Sequence, residues 1–324
     1  MNFADNIDYP PLLRRPVVLL PILALVYLAL VSADVAHWPV LAKALGGFGL
    51  AAPSGPGAGA LIAAAFTALI GANAWIVLGL ETRWQICAVW LELALLLAVF
   101  FFSFDLSYSF IRRKIWILLS IGLVNTLLIS ACSIVFASVL ALAGAIAKLS
   151  GNGVLVGIAN FYTSLFRGIP LLMQIYLIYL GLPQVGIVVD AIPAGILALA
   201  LCYGAYMTEI FRAGIESIPI GQWEAARALG LKPADTLIRV ILPQAMRVII
   251  PPTGNQFIAM LKDSSLVSVV GVWELMYLAR TQGQSEFRHM EMMLTASLIY
   301  WLFSIMLEMV QARIERHYGR AHGR

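Results

Sequence analysis

Long apolar runs, each close to the length of a bilayer crossing, alternate with short polar stretches along this chain. A helix rises about 1.5 Å per residue and the hydrocarbon core is about 30 Å thick, so a crossing needs about 20 mostly apolar residues. Eight runs answer to that need: Pro16 to about Ala36, Gly57 to Leu80, Ile86 to Phe104, Ile115 to Ala147, Leu165 to Leu182, Ala191 to Ile210, Ala245 to Leu261 and Leu294 to Gln311. The fourth is too long for one upright span and is predicted to tilt or to extend beyond the bilayer. The first is long enough to stay in the membrane and lacks the pattern of a cleavable signal peptide. The predicted fold class is all-α, a polytopic membrane bundle of about eight transmembrane helices.

Composition agrees with that pattern. Of the 324 residues 61% are hydrophobic and only 12% charged, and mean hydropathy is +0.90. A soluble domain carries about 25% charged residues, so a water-soluble fold is excluded. The net charge of +4 is read by location, because Lys and Arg gather on the cytoplasmic side. Arg313, Arg316, Arg320 and Arg324 follow the last run. Arg227, Lys232 and Arg239 lie between Arg212 and Arg247, and Arg14 and Arg15 precede the first run. With an even number of spans, both termini and the Arg212–Arg247 loop are predicted to be cytoplasmic. The loop after Ala36 is rich in Gly and Pro, and that from Pro183 to Pro193 holds Asp190 and no base, as outer loops should. Arg112, Arg113 and Lys114 fall on the outer side in this scheme. Either stronger downstream biases overrule the rule there, or the count before Ile115 is off by one.

The runs also differ in kind. Up to Phe104 they are mostly Leu, Ala and Val, whereas from Ile115 onward polar residues and prolines interrupt them. A boundary near Asp105 therefore separates an extension, residues 1–104 with about three spans, from a working domain, residues 105–324 with about five. Cys87, Cys132 and Cys202 lie in apolar runs without metal or redox spacing and read as small buried hydrophobes. His37, His289, His317 and His322 form no cluster, so no metal site is expected. There is no GxxxxGK[ST] loop, so ATP is not bound by that route. No catalytic residue is assigned.

The most informative stretch is Gly221 to Pro243, GQWEAARALGLKPADTLIRVILP. Gln222 to Leu229 consists of good helix formers. Gly230 stands where a helix end wants a left-handed residue. Pro233 suits the first turn of a second short helix, which Leu242-Pro243 is expected to close. Two short helices joined by a tight turn in a basic loop would make a rigid knob. Ala225, Ala226 and Ala228 would let another surface approach it closely. A helix-turn-helix reading fails because the flanking spans leave no soluble domain to present it to nucleic acid.

This loop resembles the EAA motif of permeases of ATP-binding-cassette importers, through Glu224-Ala225-Ala226, Gly230 and Ile241-Leu242-Pro243. The isoleucine lies one place nearer than in that pattern. Arg167-Gly168-Ile169-Pro170-Leu171-Leu172 is similar to the family's RGTPLL segment, with Ile169 for the usual Thr. Gly204-Ala205-Tyr206, Glu209 to Ile215, Gly221-Gln222, Pro243-Gln244-Ala245 and Lys262 to Leu266 resemble the polar amino acid subfamily, with Ser264 where Thr is more usual. The likeness covers roughly Ile115 to Gln311.

It implies a type I importer permease core with extra N-terminal spans in a bacterial inner membrane. It implies that the loop at about 213–243 couples to an ATPase through Gly221, Glu224, Ala225, Ala226, Gly230, Leu242 and Pro243. It further implies two ATPase subunits holding ATP and Mg, a second permease subunit (identical or related), a periplasmic solute-binding protein and an amino acid cargo. No cofactor is expected in this chain itself.

Polar groups in spans usually face the interior, so Asn125, Thr126, Gln174, Tyr206, Asn255 and Gln256 are candidates for the cargo pathway, although such groups also glue helices together. Glu209 and Arg212 share a helical face and are expected to pair, and Gly204, Gly214, Pro243, Pro251 and Pro252 are expected to let helices bend. The alternatives are a secondary transporter or channel driven by an ion gradient, for which only Glu92 and Glu308 offer mid-span carboxylates, and a non-transporting scaffold.

Overall fold

The computed structural model describes residues 16–33, 57–104 and 106–319, and no strand occurs among them. Expectations resting on Arg14, Arg15, Ala36, His37, Asp105, Arg320, His322, Arg324 and the side chain of His317 lie outside the described residues. The chain forms two compact units, Met1–Leu106 and Ser107–Arg324.

In the first unit, α1 (Pro16–Ser32), α2 (Ala58–Val77) and α3 (Thr82–Ser103) are apolar on all sides. Ala63 is the one fully buried side chain among its described residues, while Leu20, Leu69 and Leu91 are more than 60% exposed. Helices of this kind satisfy their own backbone and leave their side chains to lipid. Cys87 is exposed on α3, which corrects its assignment as buried; Cys132 is half-buried and Cys202 buried. The turn between α2 and α3 is closed by Gln85, whose amide donates to the Leu80 carbonyl at 2.8 Å.

The second unit is built around α7 (Ala191–Glu216). Against it lies α4 (Tyr108–Leu149), 42 residues long with a π-helical stretch at Leu118–Leu123. At about 63 Å, α4 is twice as long as a bilayer is thick and must tilt or project. The two helices meet along small residues, Ala137, Ala141, Gly144 and Ala145 facing Ala198, Gly204, Ala205 and Thr208. A Cβ on Gly144 would stand 2.6 Å from the Thr208 hydroxyl, and one on Gly204 would stand 2.6 Å from the Tyr162 hydroxyl. A Cβ on Gly214 would strike Ile249. Gly204 and Gly214 therefore serve close packing within a continuous helix, not the bending expected of them.

Residues 165–182 do not form the straight fifth span predicted. Instead α5 (Gly153–Gly168) and α6 (Leu171–Val185) meet at 106°. Proline excludes the helical region for the residue before it, and Ile169 is extended at φ −95°, ψ 132°. Downstream come α8 (Ile220–Ala228), then α9 (residues 233–263), a 3₁₀ stretch Ser264–Val270, α10 (Leu275–Ser285) and α11 (His289–Gly319).

The expected stop at Leu242-Pro243 is absent. Pro233–Asp235 runs through a π-helical stretch, Thr236–Ile241, directly into Leu242–Asp263. Pro243 sits in the first turn of that last segment. A wider π turn just before it accommodates a residue that can donate no bond.

Among the described residues five helices are long and apolar enough to cross a membrane, six if the bent pair counts as one. Of the eight expected, α1 has only 17 described residues. The Leu242–Asp263 part of α9 is 22 residues long but is diluted by Arg247, Pro251, Pro252, Asn255 and Gln256.

Candidate functional site

The knob at α8 is amphipathic in a simple way. Trp223 and Ala226, three apart, face inward, and Ala226 is buried. Glu224, Ala225 and Ala228 are exposed with Ile220 and Leu229, the last at 81%. Ala226 therefore does not offer itself to a partner as expected; it seats the helix, and the other alanines offer the surface. Gly230 is left-handed at φ 75°. The Gly230 N–H donates to the Arg227 carbonyl at 2.9 Å and the Leu231 N–H to the Ala226 carbonyl at 3.1 Å. That paired arrangement is a Schellman cap, which satisfies carbonyls the helix end would leave open. Gln244 bridges back to the Gln222 side chain at 3.1 Å and so ties the root of α9 to α8.

About midway along α7, the break between α5 and α6 opens a cleft of about 510 Å³ lined by Arg167 to Leu171, Cys202, Tyr203, Tyr206, Gln256 and Asp263. The break leaves helix-end carbonyls without partners from their own helix. Gln174 meets this need: its buried amide nitrogen donates to the Phe166 carbonyl at 2.9 Å and to that of Ile169 at 2.8 Å. Arg167 lies over the Tyr206 ring, 5.3 Å from its centroid. Across the lining, Tyr203 donates to Asp263 at 2.7 Å. The cleft thus holds one cation, one carboxylate, two tyrosines and the Gln256 amide.

An ion network joins the cleft to the end of α7. Lys148 of α4 donates to Glu209 and, at 2.9 Å, to Thr163 of α5. The Arg212 Nε donates to the second Glu209 oxygen at 2.9 Å, and its Nη1 to Glu216 at 2.7 Å. The expected pairing of Glu209 with Arg212 is present. Arg167 stands 4.0 Å from Glu209.

Of the six pathway candidates, Tyr206 and Gln256 line the cleft and Gln174 holds its frame. The other three do not reach it. Asn125 donates to the Trp273 carbonyl at 2.8 Å. The buried Thr126 donates to the Gly122 carbonyl and accepts from the Leu275 N–H at 3.1 Å. Asn255 accepts from Gln311 at 2.8 Å. Thr126 and Asn255 tie helix to helix, and Asn125 ties α4 to the connection before α10.

Sequence reasoning passed over Asp263 and Tyr203 as cleft residues, and Glu274 altogether. Glu274 is buried, caps α10 through the Met276 and Tyr277 N–H groups at 2.8 and 2.6 Å, and accepts from Tyr300 at 2.8 Å. Burial pushes its carboxyl up to about 7 despite those bonds. Glutamate is not among the usual N-cap residues, so the sequence gives little sign of this role.

Two of the three bases in the Arg112–Lys114 cluster share one carboxylate. Arg113 pairs with Glu286 at 3.2 Å, and Lys114 reaches Glu286 at 3.5 Å and Gln282 at 2.9 Å. Among the mid-span carboxylates, Glu308 is exposed and Glu92 half-exposed, and neither lines the cleft.

A bent half-helix at a polar cleft, joined by one long helix to a capped surface knob, defines a membrane transport subunit. Residues 134–320 match the family described as binding-protein-dependent transport system inner membrane component, and this chain belongs to that family. The L-cystine transport system permease protein TcyB of Bacillus subtilis (strain 168) is 38% identical over 219 residues, 66% of this chain and 92% of that protein. The arginine transport system permease protein ArtQ of the same organism is 37% identical over 60% of this chain and 90% of its own length. A crystal structure of an amino acid ABC transporter with histidines aligns at TM-score 0.61 and 34% identity, covering 66% of this chain and all of that one. The inward-facing MetNI methionine ABC transporter shares the fold at TM-score 0.55 and 21% identity over 66% of this chain.

Proposed function

We propose that this chain is the membrane-spanning permease of an ATP-driven importer that moves polar amino acids across a bacterial inner membrane. The observation that carries the reading is the cleft halfway along α7, with Arg167 and Asp263 in its lining and α7 running from it almost to the knob. A free amino acid carries one carboxylate and one ammonium group. Arg167, beside the N-terminus of α6, suits the first, and Asp263 suits the second. The TcyB and ArtQ relatives, by name permeases for cystine and arginine, agree with such a cargo.

The chain acts with a second permease subunit, identical or related, two ATPase subunits that hold ATP and Mg, and a periplasmic binding protein. The exposed face of α8, with Glu224, Ala225, Ala228 and Leu229, meets the ATPase. Gly221 and Gly230 shape its two ends, while Leu242 and Pro243 lie within α9, which carries the chain from the knob back into the bundle. Closing of the ATPases moves the knobs, and α7 and α9 carry that motion to the cleft. Lys148, Arg212, Arg227, Lys232, Arg239 and Arg247 gather toward the knob end of their helices, which makes that end cytoplasmic. Eight crossings follow if α1, the bent α5–α6 pair and α9 each span once. Both termini are then cytoplasmic, and residues 1–104 are an anchor added to the permease core. An ion-gradient carrier working through Glu92 or Glu308 is not favoured, since neither lines the cleft.

The test is uptake of L-cystine, L-arginine and L-glutamine into proteoliposomes holding the whole complex and its binding protein, with and without ATP. ATP-dependent uptake that falls in both Arg167→Gln and Asp263→Asn supports the reading. Uptake that runs on a proton or sodium gradient without ATP refutes it.

A further inference from the structure

The ion network beside the cleft contains more cations than its carboxylates engage closely. Glu209 offers two oxygens, and both are taken: one by Lys148, which is 10% exposed, the other by Arg212. Arg212 spends a second nitrogen on Glu216. Arg167 is the remaining cation. Its nearest carboxylate oxygen, on Glu209, is already hydrogen-bonded to Lys148 and lies at 4.0 Å, the outer limit of an ion pair. Its side chain is 44% exposed, and the same residue forms part of the cleft wall over Tyr206. Arg167 also occupies the last turn of α5, one residue before the chain turns through 106°. Glu209, Arg212 and Glu216 follow one another down the final two turns of α7, four residues short of α8.

We infer that Glu209 and the cargo carboxylate compete for Arg167, so that filling the cleft withdraws Arg167 from Glu209 and reports occupancy to the end of α7. The inference rests on the proposed reading of the cleft as the cargo site and adds to it a positioning role for Glu209, which does not touch cargo. Competition requires a weak resident partner. A carboxylate saturated by two closer cations holds a third at 4.0 Å loosely, while an incoming carboxylate with free oxygens takes a guanidinium through two parallel bonds. Loss of Arg167 from the cluster leaves Lys148 and Arg212 to hold Glu209 alone, and Arg212 is the residue that links it to Glu216 at the knob end. An arginine that merely anchored α5 would not need a shared carboxylate, and a structural Glu209 would be content with Lys148 and Arg212.

The experiment uses the purified complex of permease and ATPase in nanodiscs, without binding protein for affinity and with it for coupling. Radiolabelled L-arginine, L-glutamine and L-cystine are the probes, and L-argininamide, which lacks the carboxylate, is the control. Glu209→Gln is expected to bind the best probe about two- to fivefold more tightly, the range that an exposed ion pair commands. It should also lose most of the stimulation of ATP hydrolysis by loaded binding protein. Glu209→Asp keeps the charge and draws it back from Arg167, so it should tighten binding by a smaller factor at native abundance; it carries the test if the Gln variant inserts poorly. Argininamide, a dication, should lose no affinity in Arg167→Gln, because only a carboxylate calls on Arg167 and loss of that cation relieves repulsion.

Unchanged affinity in both Glu209 variants, with Arg167→Gln still weakening binding of the free amino acid, overturns the competition while leaving the cleft as the cargo site. Unchanged affinity in Arg167→Gln and Tyr206→Ala alike removes the cleft reading itself, and the inference with it.

Discussion

Placing valine at Gly230 perturbs the knob without touching the bundle. Gly230 holds φ at 75°, and a Cβ built there meets nothing within 4 Å. The cost is therefore conformational and not steric contact with a neighbour. A left-handed backbone costs an L-residue about 1–2 kcal/mol, and a β-branched residue stands at the unfavourable end. The turn can escape this strain only by giving up the bonds from Gly230 to Arg227 and from Leu231 to Ala226, each contributing about 1 kcal/mol. The two routes cost about the same, so the cap is left strained or opened, and α8 loses its fixed presentation. If attachment of the ATPase demands the native turn, its equilibrium falls about five- to thirtyfold, the factor that 1–2 kcal/mol commands. Gly230→Asn, which tolerates the left-handed region, should fall less. Gly157→Ala, in the exposed interior of α5 where a Cβ also meets nothing within 4 Å, should leave both properties at wild-type level. The assay is paired: membrane abundance and ATPase co-purification for each variant, then ATP-driven uptake in proteoliposomes. Normal abundance with full uptake and a firmly attached ATPase in Gly230→Val would refute the assignment of this loop as the coupling element.

Four further outcomes are expected. Gly144→Val brings a side chain against Thr208, whose hydroxyl is held by the Gly204 carbonyl at 2.8 Å, so α4 and α7 should separate at a cost of about 1–3 kcal/mol, read as a lower unfolding midpoint in detergent. Glu274, raised to about 7, stabilises the fold fully only below its unfolded value of about 4.3; stability should decline as pH rises from there through about 7, and Glu274→Gln should flatten that decline in thermal scans between pH 4 and 8. Single cysteines at Gln282 should be labelled from outside in intact cells and those at Asp235 only after permeabilisation, and the reverse pattern would invert the topology. A chain beginning near Asp105 should still couple cargo to ATP hydrolysis once assembled, and normal insertion with complete loss of coupled hydrolysis would give residues 1–104 a part in the mechanism.

The chain's local chemistry already declared much of this protein. Bilayer-length apolar runs, Gly230 at a helix end and the Glu-Ala-Ala stretch each act within a few residues of themselves, so they are legible in order along the sequence. Where such a signal depended on its surroundings, the reading went astray. Pro243 looked like a helix stop, yet the π turn at Thr236–Ile241 absorbs it. Gly204 and Gly214 looked like hinges, but they are the places where Tyr162 and Ile249 leave no room for a Cβ. Residues 165–182 looked like one span because hydropathy is blind to direction; Pro170 turns the chain through 106°, and the Gln174 amide makes that turn tolerable. Thr126, Asn125 and Asn255 looked no different from Tyr206 and Gln256, since each is a polar residue in an apolar run. Whether such a group lines the cleft or binds a neighbouring segment depends on what packs beside it, sometimes 149 residues away, as for Thr126 and Leu275. Burial and hydrogen bonding across such separations depend on the summed packing of the bundle, and that is information no short window of sequence contains.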